Sequence, residues 1–422
     1  MNAIEGLIRE ASVHAGLYTD EAVFRQEMRE IFGNGWVYVG HASEIPQRGD
    51  YVRRMMGIEP VILTRGADGV HVFANRCAHR GNLICQPESG NRKYFACQYH
   101  GWVFASNGDL VDIPMSGHEC PDKSRLGLKR AIVDTYRGFV FATFNPRPPA
   151  LLDHLGHAVQ ALDRQCGLSP AGEVQLRGPA VKHLFRANWK MLSENEADGY
   201  HVGFVHDSFT KGVKLKGKYD NVLSGQEDNI TAVVRYLGNG HTELDYGPTY
   251  TREMVWLGVA PDRYPAYSIA MRQAYGEAAA CEAMRAGPPH TFIFPNLFLA
   301  ETCLVMIQPL ATGETVNWHT PMYLKGVPDE MNVRIMRQGE VAIGPSSFLT
   351  ADDAIIAERQ WRALRDSPGW LDLSRGAGRE RELENGVVVS HYTDETPNRG
   401  FWRHYASVMK GDVVRAPARF EA

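Results

Sequence analysis

Two short stretches decide how this chain is read: Cys77-Ala78-His79-Arg80-Gly81 and Cys97-Gln98-Tyr99-His100-Gly101-Trp102. Each offers one Cys and one His from its own turn. A zinc site is one use for such a set, but the usual finger pairs Cys with Cys and His with His. One thiolate and one imidazole from each of two turns suits a [2Fe–2S] cluster whose two irons are held by two thiolates and two imidazoles respectively, an arrangement that raises the reduction potential above that of an all-Cys cluster. Gly81 and Gly101 permit tight loops, and Trp102 is placed to shield the cluster.

A second run, NWKMLSENEADGYHVGFVH from Asn188 to His206, holds Glu194, Asn195, Asp198, His201 and His206. On a helix Asp198 and His201 share a face. The five residues from His201 to His206 turn a helix by about 140° from the starting face. The two rings therefore converge on one metal only if the helix loosens, and Gly203 is placed to allow this. Two His and one carboxylate leave positions on a non-haem Fe(II) open for O2 and substrate. On these residues alone, a helix with surface histidines stays open as the alternative, and the third ligand must come from elsewhere.

Around these runs the texture divides. Asp20 to Phe32 is amphipathic and reads as a helix. Strand-like runs from Trp36, Val61, Val70 and Phe139 alternate with turn residues, which predicts a small all-β domain. Asn145 to Pro149 is a Pro-rich stop. The expected division is 1–35, an N-terminal helical segment packing on the catalytic domain, then a cluster domain at 36–149 and a catalytic domain at 150–422. Helices are expected at about 150–166, from Trp189, near Gly276 to Ala286 and near Asp352 to Leu364.

Lys plus Arg is 45 against 49 for Asp plus Glu, a net charge of −4. Without a basic excess, no nucleic-acid partner is expected. The N-terminal residues show no secretory pattern and no run approaches the roughly 20 apolar residues of a membrane span, so a cytoplasmic location without membrane association is expected. The Rossmann and Walker glycine signatures, GxSxG and HExxH are absent, so the chain cannot draw electrons from a nicotinamide itself and a separate reductase is implied.

The residues CAHRG…CQYHGW and NWK…EN…D-x-Y-H-x4-H resemble the α (large, catalytic) subunit of Rieske non-haem iron aromatic ring-hydroxylating oxygenases, over most of the chain. The resemblance implies an α+β protein: a small Rieske [2Fe–2S] domain, then a helix-grip (Bet v1-like, START-like) antiparallel-sheet domain. It implies that Cys77, His79, Cys97 and His100 hold the cluster, and that His201 and His206 hold a mononuclear Fe(II). Asp353, five residues after Phe348, is expected as the third ligand, with Asp352 as runner-up. Asp198 is the family's bridging carboxylate and Asn195 a neighbour of the iron. O2 is the co-substrate. The partners implied are a reductase, a ferredoxin, and two further copies in a homotrimer that brings cluster and iron together across subunits; a small β subunit (α3β3) stays open.

The expected reaction is hydroxylation of a small aromatic substrate, as cis-dihydroxylation of an aromatic carboxylate. The alternative is a monooxygenase or demethylase acting on an alkyl or quaternary-ammonium substrate. Candidate pocket residues are Phe204, Val205, Asn296, Phe298 and Phe348, with Arg399 as a carboxylate anchor. Cys85, Cys120, Cys166, Cys281 and Cys303 are expected as reduced thiols.

Overall fold

A computed structural model describes residues 4–115, 122–178, 180–209, 211, 231–345 and 347–411. Cys120 lies outside the described residues. The chain forms two compact units, Met28–Leu151 and, discontinuous in sequence, Met1–Glu27 with Leu152–Ala422.

The Met28–Leu151 unit is built from short antiparallel strands. One sheet runs in the order Val70–Ala74, Glu59–Arg65, Asp50–Met56, Ser89–Asn91; two three-stranded sheets accompany it. The β-branched residues of Glu59–Arg65 suit its central place. Its core contains Tyr51, Ile62, Phe73, Phe95, Phe104 and Leu128, and also Cys77 and Cys97. The cluster motif is thus rooted in the packing itself.

The larger unit is organised on a ten-stranded sheet whose pairings are antiparallel. Its longest strands, Cys303–Ala311 and Glu314–Leu324, pair along nearly their whole length. The C-terminal helix Thr396–Lys410 packs on the sheet, with Phe401 against Phe292 and Phe294. This is the α+β layout expected. The N-terminal stretch is not only helical: Ile8–Arg9 and Ser12–His14 form a small sheet with Trp370–Asp372 before the helix Glu21–Glu30 begins. Among the described residues no helix is long and apolar enough to cross a membrane.

A buried polar knot fixes where the helix Trp189–Asn195 starts. Asn188 caps it, its Oδ1 accepting from Lys190 N at 3.1 Å, while its Nδ2 donates to Tyr18 O and Thr312 O. Glu27 is fully buried and accepts from Trp189 Nε1 (2.9 Å), Lys190 Nζ (2.5 Å) and Tyr405 OH (2.6 Å). Trp189 therefore does more than fill space: with Asn188 and Lys190 it anchors the helix that leads into the second motif.

Candidate metal centres

The two cysteine loops fold alike. In the first, Cys77 N donates to Asn82 O (2.9 Å) and Gly81 N to Cys77 O (2.9 Å). In the second, at the tip of the hairpin Tyr94–Ala96/Val103–Ala105, Cys97 N donates to Trp102 O (2.8 Å) and Gly101 N to Cys97 O (2.9 Å). Gly81 and Gly101 sit at φ of +73° and +72°, a conformation that costs a side chain dearly and Gly little. The matching backbone bonds place one His from each loop together, with ring centroids 4.5 Å apart. Both thiols are buried and both imidazoles exposed. Trp102 stacks on His79 of the other loop at 4.8 Å and 5°.

Burial raises the Cys77 thiol's pKa. Burial acts the same way on Cys97 but is outweighed, chiefly by the backbone N–H of Tyr99 and then by Cys77 and Asn82, so its pKa is lowered. Asn82 Nδ2 reaches Cys97 Sγ at 3.7 Å. Two buried thiols and two imidazoles on paired loops are the donor set that the cluster needs. Cys85 is in no disulfide: its N–H is bound to Asn75 Oδ1 and its thiol donates to Pro87 O at 3.7 Å. Asn82 was missed by motif reading, yet it follows Cys77 at the same distance as Trp102 follows Cys97.

The second motif departs from the expected continuous helix. The helix ends at Asn195, and a one-turn helix, Val202–Val205, begins only after a turn. Asn195 O accepts from Asp198 N (3.2 Å), and Asp198 Oδ1 accepts from Tyr200 N (2.6 Å), a local turn of the kind Asp favours. His201 and His206 therefore flank a single helical turn, and their Nε2 atoms lie 3.2 Å apart. Gly203, expected to loosen the helix, lies within that turn; the break is upstream. The glycine that matters is Gly199, where a Cβ would meet Tyr392 O at 2.5 Å. A Gly between Asp and an aromatic was the available signal.

Asp353 comes from a different helix, Phe348–Asp366, whose start is capped by Ser347 accepting from Thr350 N at 3.0 Å. Its Oδ1 lies 3.6 Å from His201 Nε2 and 3.3 Å from His206 Nε2. Asp352 Oδ2 reaches only His206 Nδ1, at 3.8 Å. His201, His206 and Asp353 form a group that could hold one metal ion. Donors about 2.1 Å from an ion and at right angles to each other are about 3 Å apart, close to this spacing. Asp353 Oδ1 is buried without a hydrogen-bond partner in a setting where such an atom is costly unless a cation satisfies it.

Asp198 Oδ2 lies 3.4 Å from His201 Nδ1, the ring nitrogen turned away from Asp353. Burial disfavours charge on His201, but Asp198 and Asp353 outweigh it and hold its pKa up. Burial, with repulsion from Asp353, raises Glu196 well above the carboxylate range.

Several pocket expectations need correction. Phe204 and Phe348 are exposed, 74% and 63%, so neither is enclosed among the described residues. Arg399 is buried and bonded throughout: Nε and Nη2 to Glu380 Oε1, Nη1 to Leu373 O and Arg375 O, Nη2 also to Thr396 Oγ1. These five bonds use all five donors of a guanidinium, leaving none for a substrate carboxylate. Val205 is half-buried. Asn296 and Phe298 are buried, Phe298 packing at 4.8 Å on His290, whose pKa burial lowers to about 4. Only the pairing of the strand His290–Ile293 with Leu297–Ala300 brings His290 beside Phe298.

A cluster-binding unit joined to a unit with a two-His, one-carboxylate site defines a Rieske non-haem iron oxygenase, an oxidoreductase that incorporates O2. The chain matches the Rieske [2Fe-2S] domain over residues 35–136 and the ring hydroxylating alpha subunit catalytic domain over residues 171–411. It belongs to the ring-hydroxylating oxygenase alpha subunits. It is 32% identical to the anthranilate 1,2-dioxygenase large subunit of Acinetobacter baylyi, over 85% of this chain and 79% of that one. It is 30% identical to the N,N-dimethyl phenylurea N-demethylase subunit alpha of a Sphingobium species, over 94% of this chain and 91% of that one. Its structure resembles that of a naphthalene 1,2-dioxygenase variant bound to phenanthrene, with a TM-score of 0.84, 28% identity, and coverage of 98% and 96%.

Proposed function

We propose that this chain is the terminal oxygenase component of a multicomponent system that hydroxylates an aromatic ring by cis-dihydroxylation. Cys77, His79, Cys97 and His100 would hold the cluster that takes electrons from a reductase through a ferredoxin, and His201, His206 and Asp353 would hold the single iron. When bound, the cluster supplies electrons one at a time and the iron activates O2. Asp198 holds the His201 ring through Nδ1 and so orients Nε2. The carrying observation is the convergence of His201 Nε2, His206 Nε2 and Asp353 Oδ1 on one point. Assembly as a homotrimer sets the exposed His100 of one copy against Asp198 of the next. None of the described cysteines is in a disulfide, in keeping with the cytoplasm.

With Arg399 committed to Glu380, an aromatic carboxylate substrate rests on the likeness to the anthranilate enzyme alone. The N-demethylase relative, of similar identity, supports a second reading, oxidative removal of an N-methyl group. A substrate panel of aromatic hydrocarbons, aromatic acids and N-methyl aryl compounds, run with labelled O2 and a surrogate reductase and ferredoxin, separates the two. A diol carrying two labelled oxygens supports dihydroxylation; formaldehyde with a demethylated product supports the second reading.

A further inference from the structure

Apart from the metal-ligating residues, the larger unit has an open cavity of 470 Å³ lined by Arg375, Arg379, His391, Thr393 and Asp394, with Arg379 and His391 exposed. An adjoining cavity of 430 Å³ shares Arg379 and His391 and adds Arg381 and Ser390. The cationic and polar groups are held in place. Arg375 donates through Nε to Thr393 O (2.7 Å) and through Nη2 to Thr393 Oγ1 (3.2 Å), and its guanidinium lies 3.9 Å over the Tyr200 ring. Arg379 Nη2 is bound to Asp394 Oδ1 at 2.5 Å. His391 Nδ1 pairs with Thr393 Oγ1 at 2.9 Å, which leaves Nε2 for a ligand.

Of the nearby carboxylates, Asp394 is fully buried and holds Arg379 through Oδ1 alone, its Oδ2 having no hydrogen-bond partner, and Glu380 holds Arg399. Among the described residues, the Nη1 groups of Arg375 and Arg379 make no hydrogen bond. A solvated surface patch of arginines would lack both the concavity and these anchors. We propose that this cavity binds a small oxyanion, a carboxylate or phosphate group, on the Arg375 and Arg379 guanidinium groups with His391 as a third donor. Planar guanidinium forks match such groups two bonds at a time, and the volume falls within the range of small-ligand sites. Because Arg375 lies on Tyr200, between Asp198 and His201 in sequence, an occupant here bears on the turn that sets His201.

The test is calorimetric titration of the holoenzyme, in chloride buffer, with inorganic phosphate and separately with benzoate. The same titrations are run on Arg375→Gln, Arg379→Gln and His391→Gln, with the Tm of each variant confirming that the larger unit folds. At least one anion should bind, at least about tenfold more weakly in a folded Arg variant, the loss expected for one charge-assisted hydrogen bond. Phosphate alone would point to phosphate-bearing ligands and benzoate alone to carboxylates; competition between the two for one site would point to both. Absence of binding by either anion, or binding unchanged in all folded variants, overturns the proposal. Benzoate binding that survives the Arg substitutions belongs to the iron site and counts the same way.

Discussion

Asp198 and His201 meet through a turn rather than along a helix: Asp198 Oδ1 accepts from Tyr200 N–H while Oδ2 lies 3.4 Å from His201 Nδ1. One carboxylate thus shapes the backbone and lies beside the imidazole. Carboxylates in this position typically change metal affinity or activity by about 10–100-fold when removed. Asp198→Ala should keep its cluster and most of its iron yet lose product formation. Iron analysis, the cluster spectrum and product yield are measured together; normal product formation would sink the assignment.

The neighbouring pair Asp352 and Asp353 gives a sharper contrast. Asp353 Oδ1 lies within 3.6 Å of both Nε2 atoms, whereas Asp352 reaches only His206 Nδ1. Asp353→Ala should lose the mononuclear iron and all turnover while keeping its labile sulfide. Asp352→Ala should retain both. Equal iron content in the two variants would reverse the choice of ligand.

Gly199 is held to its identity by close approach, since a Cβ would stand 2.5 Å from Tyr392 O. Forcing a methyl into such a contact costs about 1–3 kcal/mol. Gly199→Ala should lower the Tm and the iron content together, with cluster content constant, because the turn between Asp198 and His201 must move. A variant with full iron and unchanged Tm would show that the contact is easily relaxed.

The two cysteine loops are legible in sequence because each sets its Cys and His a few residues apart, at a spacing fixed by local turns. Asp353 was not legible from the residues alone, since it joins His201 and His206 only through packing of a helix from far along the chain. Gly203 drew attention as the flexible residue, but a glycine's neighbours in space decide its role, and those of Gly199 come from Tyr392. Arg399 shows the converse. Its place in an Arg-Gly-Phe-Trp-Arg run suggested a substrate anchor, and only the folded chain reveals that Glu380 and three backbone or hydroxyl oxygens consume it. The helix Thr396–Lys410 was missed because aromatic and β-branched residues weaken its helix propensity, which burial of Phe401, Trp402 and Tyr405 overrides.

Glu194, at the end of the helix that Glu27 anchors, makes stability depend on pH. Burial raises its pKa from 4.5 to about 7, although Trp402 Nε1 (2.5 Å) and Tyr18 OH (2.8 Å) both donate to it. Below its unfolded pKa the carboxyl is protonated in both states and carries no penalty. As pH rises toward 7 the unfolded chain releases a proton that the folded one keeps, so stability falls across that window and levels off above it. The full cost is about 3 kcal/mol. Glu194→Gln retains a hydrogen-bonding amide and has no charge to desolvate. Its Tm should therefore exceed that of the parent by an amount that grows between about pH 5 and about pH 8. Parallel Tm profiles for the two proteins across this range would show that Glu194 titrates normally in the folded state.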